Sequence, residues 1–395
     1  GADMEDEDLI QREDMVVTVT HGGYIKRVPL SIYRAQARGG KGRSGMSTRD
    51  EDFVTRLFVA NTHTPVLFFS SRGIVYKEKV WRLPVGTPQA RGKALINMLP
   101  IDNGDRITAI LPLPEDEGSW GELDVMFATT RGTVRRNKLS DFVQVNRNGK
   151  IAMKLDEGDE ILNVETCTEN DDVLLTANSG QCIRFPVTDV RVFAGRNSIG
   201  VRGIALGDSD RAISMTILGH VEASPAERAA YLKRSGVERR LAAGEGEEEE
   251  IALTNEDIGE ETDLSDERYQ YLRDHEQFVL TVTEFGYGKR SSSYDFRLTG
   301  RGGKGIRATD VSKVAEIGRL VAAFPVANED QIMLVSDGGT VIRVPVNNIR
   351  FASRATKGVT IFNTAEDEKV VSVERISEPN GEEEEGENGN GAPEA

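Results

Sequence analysis

One pattern constrains this chain more than any other: a unit of about fifty residues recurs six times along its 395 residues. Each unit opens on a short apolar run, turns at a glycine and continues into a basic segment. The runs are Val16–Val19, Val66–Phe69, Val125–Ala128, Val173–Thr176, Val279–Val282 and Ile332–Val335. The turn glycines are Gly23, Gly73, Gly132, Gly180, Gly286 and Gly339, spaced by 50, 59, 48, 106 and 53 residues. β-branched runs flanking a glycine turn read as hairpins. Four strands per unit make a blade-like sheet, and a unit that cannot bury its faces alone must stack on its neighbours. The 40 glycines, about one residue in ten, fit a chain with many tight turns. We therefore expect an all-β repeat fold rather than a set of unrelated domains.

The long step of 106 marks an insertion, residues 219–275, within a repeat domain spanning 15–376. It starts with Ser224-Pro225-Ala226-Glu227, a helix N-terminus signature with Ser as cap, Pro in the first turn and Glu reaching back. Ala226–Leu241 and Ser265–Asp274 read as helices. The acidic stretch 244–263 between them reads as a flexible linker, and the step of 59 holds a surface loop near Pro114–Gly121. Residues 1–14 form an acidic lead-in, and 377–395, rich in Glu, Gly and Asn, form a tail whose composition predicts disorder.

A net charge of −16 argues at first against a polyanionic partner, but the charge is segregated. Residues 1–14 carry −6, 222–276 carry −10 and 377–395 carry −7, which leaves +7 on the repeats. A partner responds to the local field, not the total. Two basic columns emerge when the repeats are aligned on the turn glycine. Four residues after it stand Arg27, Lys77, Arg136, Arg184, Arg290 and Arg343. In the following loop stand Arg38, Arg91, Arg147, Arg196, Arg301 and Arg354, accompanied by Lys41, Lys93, Lys150, Lys304 and Lys357; the fourth repeat has Ile199 in place of the Lys. Recurrence in every unit predicts a positive belt around the assembly, suited to a long polyanion such as duplex DNA whose phosphates are read without regard to sequence.

The first repeat's loop reads Gln36-Ala37-Arg38-Gly39-Gly40-Lys41-Gly42. Its glycines leave no Cβ to hold a phosphate away, Arg38 and Lys41 supply charge, and Gln36 can donate to a phosphate oxygen. The heptad resembles the signature box of the C-terminal domains of bacterial DNA gyrase A subunits, Gln-Arg-Arg-Gly-Gly-Lys-Gly, with Ala37 where that family has its first Arg. The segment Glu13–Thr20 is also similar to the family's lead into the first blade. The resemblance implies a six-bladed β-pinwheel, a propeller-like wheel whose neighbouring blades exchange a strand. It implies DNA wrapped on the rim and presented to the N-terminal cleavage core of the gyrase A protein, within an ATP-dependent topoisomerase that also contains the gyrase B protein. It places Gln36, Arg38, Gly39, Gly40, Lys41 and Gly42 at the DNA. The fifth repeat holds a second box-like loop, Gly300–Gly305, without the Gln.

Other classes fit less well. A topoisomerase IV C-terminal domain shares the fold but has a degenerate box. A protein-binding propeller predicts no basic columns and shows repeat signatures such as Trp-Asp, absent here. A propeller enzyme needs convergent carboxylates or metal ligands. The histidines His21, His63, His220 and His275 are scattered and read as surface or turn residues, and Cys167 and Cys182 read as reduced core residues. Trp81 and Trp120 read as packing residues. No catalytic, metal or cofactor site is expected. No apolar run approaches membrane length and the acidic start lacks a signal-peptide pattern, so we expect a cytoplasmic, nucleoid-associated location without membrane partners.

Overall fold

The computed structural model describes residues 7–37, 48–49, 52–243 and 263–376, with backbone only for 34–37, 48, 49 and 243. The repeated hairpins form six four-stranded antiparallel sheets among these residues. From hub to edge, blade 1 runs Val54–Asn61, Asp14–Thr20, Tyr24–Pro29, Lys93–Ala94. Blade 2 runs Ile107–Pro112, Pro65–Ser70, Ile74–Lys79, Lys150–Ile151, and blade 3 runs Ile161–Cys167, Asp124–Thr129, Thr133–Lys138, Val201–Arg202. Blade 4 runs Ala212–Gly219, Asp171–Ala177, Gln181–Pro186, Ile306–Arg307. Blade 5 runs Leu320–Val326, Phe278–Thr283, Tyr287–Ser292, Val359–Thr360. Blade 6 runs Val370–Ile376, Gln331–Ser336, Thr340–Pro345, Thr48–Arg49.

The outermost strand of every blade therefore comes from the next repeat, and the first repeat supplies blade 6. Arg49 pairs with Thr340 and Thr48 with Val341, so two residues close the ring. From blade 2 round to blade 1 the innermost strands of neighbouring blades approach one another at the hub, Val370–Ile376 beside Val54–Asn61 included. In each blade the inner strand bulges once against its neighbour at the same level, as between Val19 and Thr20 or Phe69 and Ser70. Such bulges increase local twist and help sheets curl around an axis.

The apolar runs sit on the second strand, packed on both faces by adjacent blades. Continuous rather than alternating apolarity follows. Val66, Leu67, Phe68 and Phe69 are all fully buried. Phe68 packs with Val17 and Tyr76 between blades 1 and 2, while Phe69 meets Phe127, Phe142 and Trp120 between blades 2 and 3. Phe53 seals the last seam against Met333, Val341 and Ile376. The turn glycines all carry positive φ, from 82° to 102°, a conformation that side chains with a Cβ rarely adopt.

The first repeat departs from the others. Its second hairpin strand runs into a helix, α1 (Leu30–Ala37), whose last turn contains Gln36. Reading Gln36–Gly42 as one loop is thus corrected: Gln36 and Ala37 are helical, because the run Leu30–Ala37 holds no glycine or proline to break the turn. Arg38, Gly39, Gly40, Lys41 and Gly42 lie outside the described residues, as do the tail 377–395 and most of the acidic linker.

The insertion contributes α2 (Pro225–Ala243) and α3 (Asp266–Asp274). Ser224 Oγ accepts from the Glu227 amide at 3.1 Å while Glu227 Oε1 accepts from the Ser224 amide at 3.2 Å, the reciprocal capping expected from the sequence. Tyr231, Leu232, Tyr269 and Leu272 pack on Tyr294 of the fifth repeat. Glu276 ties helix to blade, accepting from Tyr231 Oη at 2.7 Å, Arg239 Nη2 at 2.7 Å and Ser292 Oγ at 2.5 Å.

Candidate nucleic-acid interface

The first basic column does not face outwards as a belt. Arg136, Arg184 and Arg290 are buried, and Arg27, Lys77 and Arg343 half-buried. In five blades the side chain reaches carbonyls of the short 3-10 turn opening the next repeat's loop, or of the residues just after it. Arg27 donates to Leu83 O at 2.9 Å and Trp81 O at 3.2 Å, and Lys77 to Val143 O at 2.7 Å. Arg136 Nη1 donates to Val190 O at 3.1 Å, Arg184 Nη1 to Ser293 O at 2.7 Å, and Arg290 Nε to Ile349 O at 2.7 Å. Arg343 donates to Gln331 Oε1 at 3.3 Å.

Two of these cations also hold buried carboxylates. Arg136 binds Asp124 Oδ2 through Nε at 2.9 Å and Nη2 at 2.6 Å, and Arg184 Nε binds Asp172 Oδ2 at 3.0 Å. The physical reason is local. A 3-10 turn leaves carbonyls without backbone donors, and these face the hairpin of the preceding blade. A guanidinium with five donors satisfies several at once. The column is a set of staples between repeats.

The second column is divided. Arg91, Lys93, Arg147 and Lys304 are exposed, and Lys150, Arg196, Arg301 and Lys357 half-buried. Arg354 is buried, donating to Asp295 O at 2.8 Å and Arg307 O at 2.5 Å, and its expected outward place in the belt is corrected. Arg301 likewise donates to Asp189 O at 3.1 Å and Arg202 O at 2.7 Å, which ties the fifth repeat's loop to the fourth's. Lys150 Nζ donates to Asp141 O at 3.0 Å and Gln144 O at 2.6 Å, and Lys357 pairs with Glu316 at 2.8 Å. Arg91 lies 3.9 Å from the Tyr24 ring centroid, its charge still accessible. These loops feed the exchanged strands, so they stand at the outer edge of successive blades.

A third recurrence escaped the sequence reading. Eleven residues after the turn glycine stand Arg34, Arg191, Arg297 and Arg350, with Pro84 and Val143 in the other repeats. Arg191 and Arg350 are exposed and Arg297 half-buried. The next position holds an exposed apolar residue, Val85, Val192, Leu298 or Phe351, whose backbone pairs in parallel with the first-column Arg of the preceding blade. Sliding the alignment from the second column toward the turn would have found it. The signal is weaker because only four of six repeats carry the cation.

Trp120 is fully buried, its indole donating to Pro114 O at 2.8 Å, while Trp81 stacks on Arg82. His63 is a buried turn residue, with Nε2 2.9 Å from Ile10 O. Burial pushes the Cys167 and Cys182 thiols up to about 12. Among the described residues no group of three or more His, Cys, Asp or Glu is arranged to hold a metal ion, and no helix is long and apolar enough to cross a membrane.

Six blades that exchange edge strands and present cationic loops at the perimeter define a closed repeat domain of the propeller class. The family described as DNA gyrase C-terminal domain, beta-propeller, matches residues 14–61, 64–114, 123–168, 171–218, 277–327 and 330–377, one segment per blade. This chain belongs to that family. It is 51% identical over 379 residues to the DNA gyrase A protein of Granulibacter bethesdensis, covering 94% of this chain and 40% of that protein. It is 38% identical over 379 residues to the DNA gyrase A protein of Escherichia coli, covering 96% and 36%. The chain thus spans about two fifths of the length of these relatives. Two solved structures share its fold at 19% identity: a topoisomerase IV C-terminal domain (TM-score 0.68; 97% of this chain, 100% of that chain) and a gyrase A C-terminal domain (TM-score 0.59; 92% and 100%).

Proposed function

We propose that this domain binds duplex DNA along its outer-edge loops and bends it around the wheel, so that a gyrase containing the N-terminal core of the A protein together with the B protein introduces negative supercoils. One observation carries the reading: Arg91, Lys93, Arg147 and Lys304 stand exposed on loops at the outer edge of blades 1, 2 and 4. Arg191 and Arg350 extend the same track. A row of cations on a curved edge neutralises phosphates spaced along a bent duplex. Bending a 20–30 base-pair site by 40–90° costs about 1–6 kcal/mol, which several such contacts offset. The work is non-catalytic and needs no cofactor. In the soluble compartment that holds the nucleoid, cleavage and ATP hydrolysis belong to other parts of the enzyme.

The box Gln36–Gly42 leads toward Thr48–Arg49, the strand that closes the ring between blades 1 and 6. DNA held by Arg38 and Lys41 completes the turn and fixes its handedness. The test ligates nicked plasmid in the presence of the domain and measures linking number after protein removal. A positive shift growing with protein concentration is expected; no shift with demonstrated binding returns the domain to a substrate-selection role of the topoisomerase IV kind. Arg38→Ala with Lys41→Ala in reconstituted gyrase is expected to abolish negative supercoiling and spare relaxation.

A further inference from the structure

The residue just before the first column alternates around the wheel: Lys26, Tyr76, Arg135, Ile183, Lys289, Ile342. Blades 1, 3 and 5 place a cation there, and all three are buried. Each points beneath the next repeat's outer loop and gathers its carbonyls. Lys26 Nζ donates to Thr87 O at 2.9 Å, Pro88 O at 2.7 Å and Ala90 O at 2.7 Å. Lys289 Nζ donates to Arg354 O at 2.6 Å and to Thr356 O. Arg135 donates to Arg196 O at 2.8 Å and to Gly195 O and Ser198 O, with Nε on Asn137 Oδ1 at 3.0 Å. Among the described residues none of the three makes an ion pair with a carboxylate.

The blade 3 case goes furthest. The fourth repeat is the one whose loop has Ile199 in place of the second-column lysine. Its loop is largely exposed, and among the described residues no backbone N–H from Gly195 through Ile199 donates to a protein acceptor. The inward carbonyls of Gly195, Arg196 and Ser198 turn the N–H groups of Arg196, Asn197 and Ile199 the other way, and outward amides on one short loop suit an anion. Asn137 Nδ2 adds a bond to Gly195 O at 3.1 Å, and Gly200 (φ 129°) lets the chain close onto blade 3. Burial lowers Arg135 to about 10, so it stays charged at neutral pH beneath the loop.

We propose that the backbone amides of Gly195–Ile199 form a phosphate-binding site for the DNA backbone, with buried Arg135 as its positioning residue. Lys26 and Lys289 shape the second and sixth repeats' loops in the same manner. The cation missing from the fourth loop's surface is replaced by one beneath it, whose charge is answered only at a distance by Asp141 and is open to a phosphate on the loop. This inference rests on the DNA-binding reading.

Amide NMR of the isotope-labelled chain, titrated with a 20-base-pair duplex, tests both separately. The amides of Gly195–Ile199 are expected to shift together with those around Arg91 and Lys304. Shifts at Arg91 and Lys304 with Gly195–Ile199 unmoved overturn the site and leave the DNA reading standing; no shift anywhere overturns both. Arg135→Met, checked for folding by circular dichroism, is expected to weaken duplex binding about 10-fold, and Arg135→Lys to recover part of it. A folded Arg135→Met chain that binds as the parent does also sinks the assignment. Because the titration uses the unaltered chain, the proposal stays testable even where Arg135→Met fails to fold.

Discussion

The two basic columns share residue type, sequence recurrence and alignment on the same glycine, yet they lie in different physical worlds. Arg184 is buried against Asp172 and three backbone carbonyls, while Arg91 lies exposed on the outer edge over Tyr24. Recurrence shows that a position matters to the unit; it does not show whether it matters to the unit's fold or to its partner. The difference lies in what surrounds each cation. A buried cation must find acceptors within the protein, because desolvation without them is prohibitive. A surface cation at the outer edge has water as its default partner and is open to a phosphate.

The largest expected effect breaks the comparison at its buried end. Arg184→Met leaves Asp172 buried with His220 as its one remaining side-chain partner among the described residues, and strips several carbonyls of donors. Removing one member of a buried pair costs about 3–5 kcal/mol. Chemical denaturation is expected to show a loss of that size, while duplex binding by the remaining folded protein keeps its salt dependence. A variant of normal stability and weakened binding would place Arg184 on the DNA instead.

Arg290 sharpens the same end. It has carbonyl and amide partners and the face of Phe351 at 3.8 Å, and no carboxylate within ion-pair distance among the described residues. Burial lowers it to about 10, still charged at neutral pH. Arg290→Met strands Ile349 O without leaving a buried anion, so a smaller loss of about 1–3 kcal/mol is expected in the same denaturation assay. Equal losses for Arg184 and Arg290 would mean that the carboxylate adds nothing.

At the exposed end, Arg91→Ala with Lys93→Ala is expected to change stability by no more than ~0.5 kcal/mol. The salt dependence of duplex binding is the informative measurement. Loss of two phosphate contacts lowers the slope of log K against log salt by about 1.8. An unchanged slope would remove the second repeat's loop from the DNA path.

The contrast also explains what was legible beforehand. The period, the strands and the turn glycines could be read because packing on both faces demands unbroken apolar runs such as Val66–Phe69, and the hairpin demands positive φ at Gly73. The ring closure by Thr48–Arg49 could not be read, since a two-residue strand leaves no periodic trace. The staple role of the first column was hidden because its acceptors are backbone carbonyls of the following repeat, and carbonyls have no sequence signature. Asp124 and Asp172 were the visible clue. Each lies twelve residues before its Arg and directly precedes an apolar run, where a carboxylate demands a partner.

The smallest effect concerns the other partner of that carboxylate. His220 Nδ1 lies 3.0 Å from Asp172 Oδ1, and its Nε2 lies 2.5 Å from Glu222 Oε2. The bond to Glu222 raises the imidazole above its ordinary value, burial opposes this, and Asp172 adds to the rise. A group whose folded pKa is raised contributes stability that is fully present below its unfolded value, about 6.5, and lost as pH climbs through the folded value. Glu222 is largely exposed, so screening keeps the contribution below ~1 kcal/mol. Unfolding free energy is therefore expected to decline slightly as pH rises from 6 toward 8, and His220→Gln to flatten that decline. A variant that keeps the parent's slope would mean that Arg184 alone answers the charge of Asp172, and that the buried column holds its carboxylates without help from the surface.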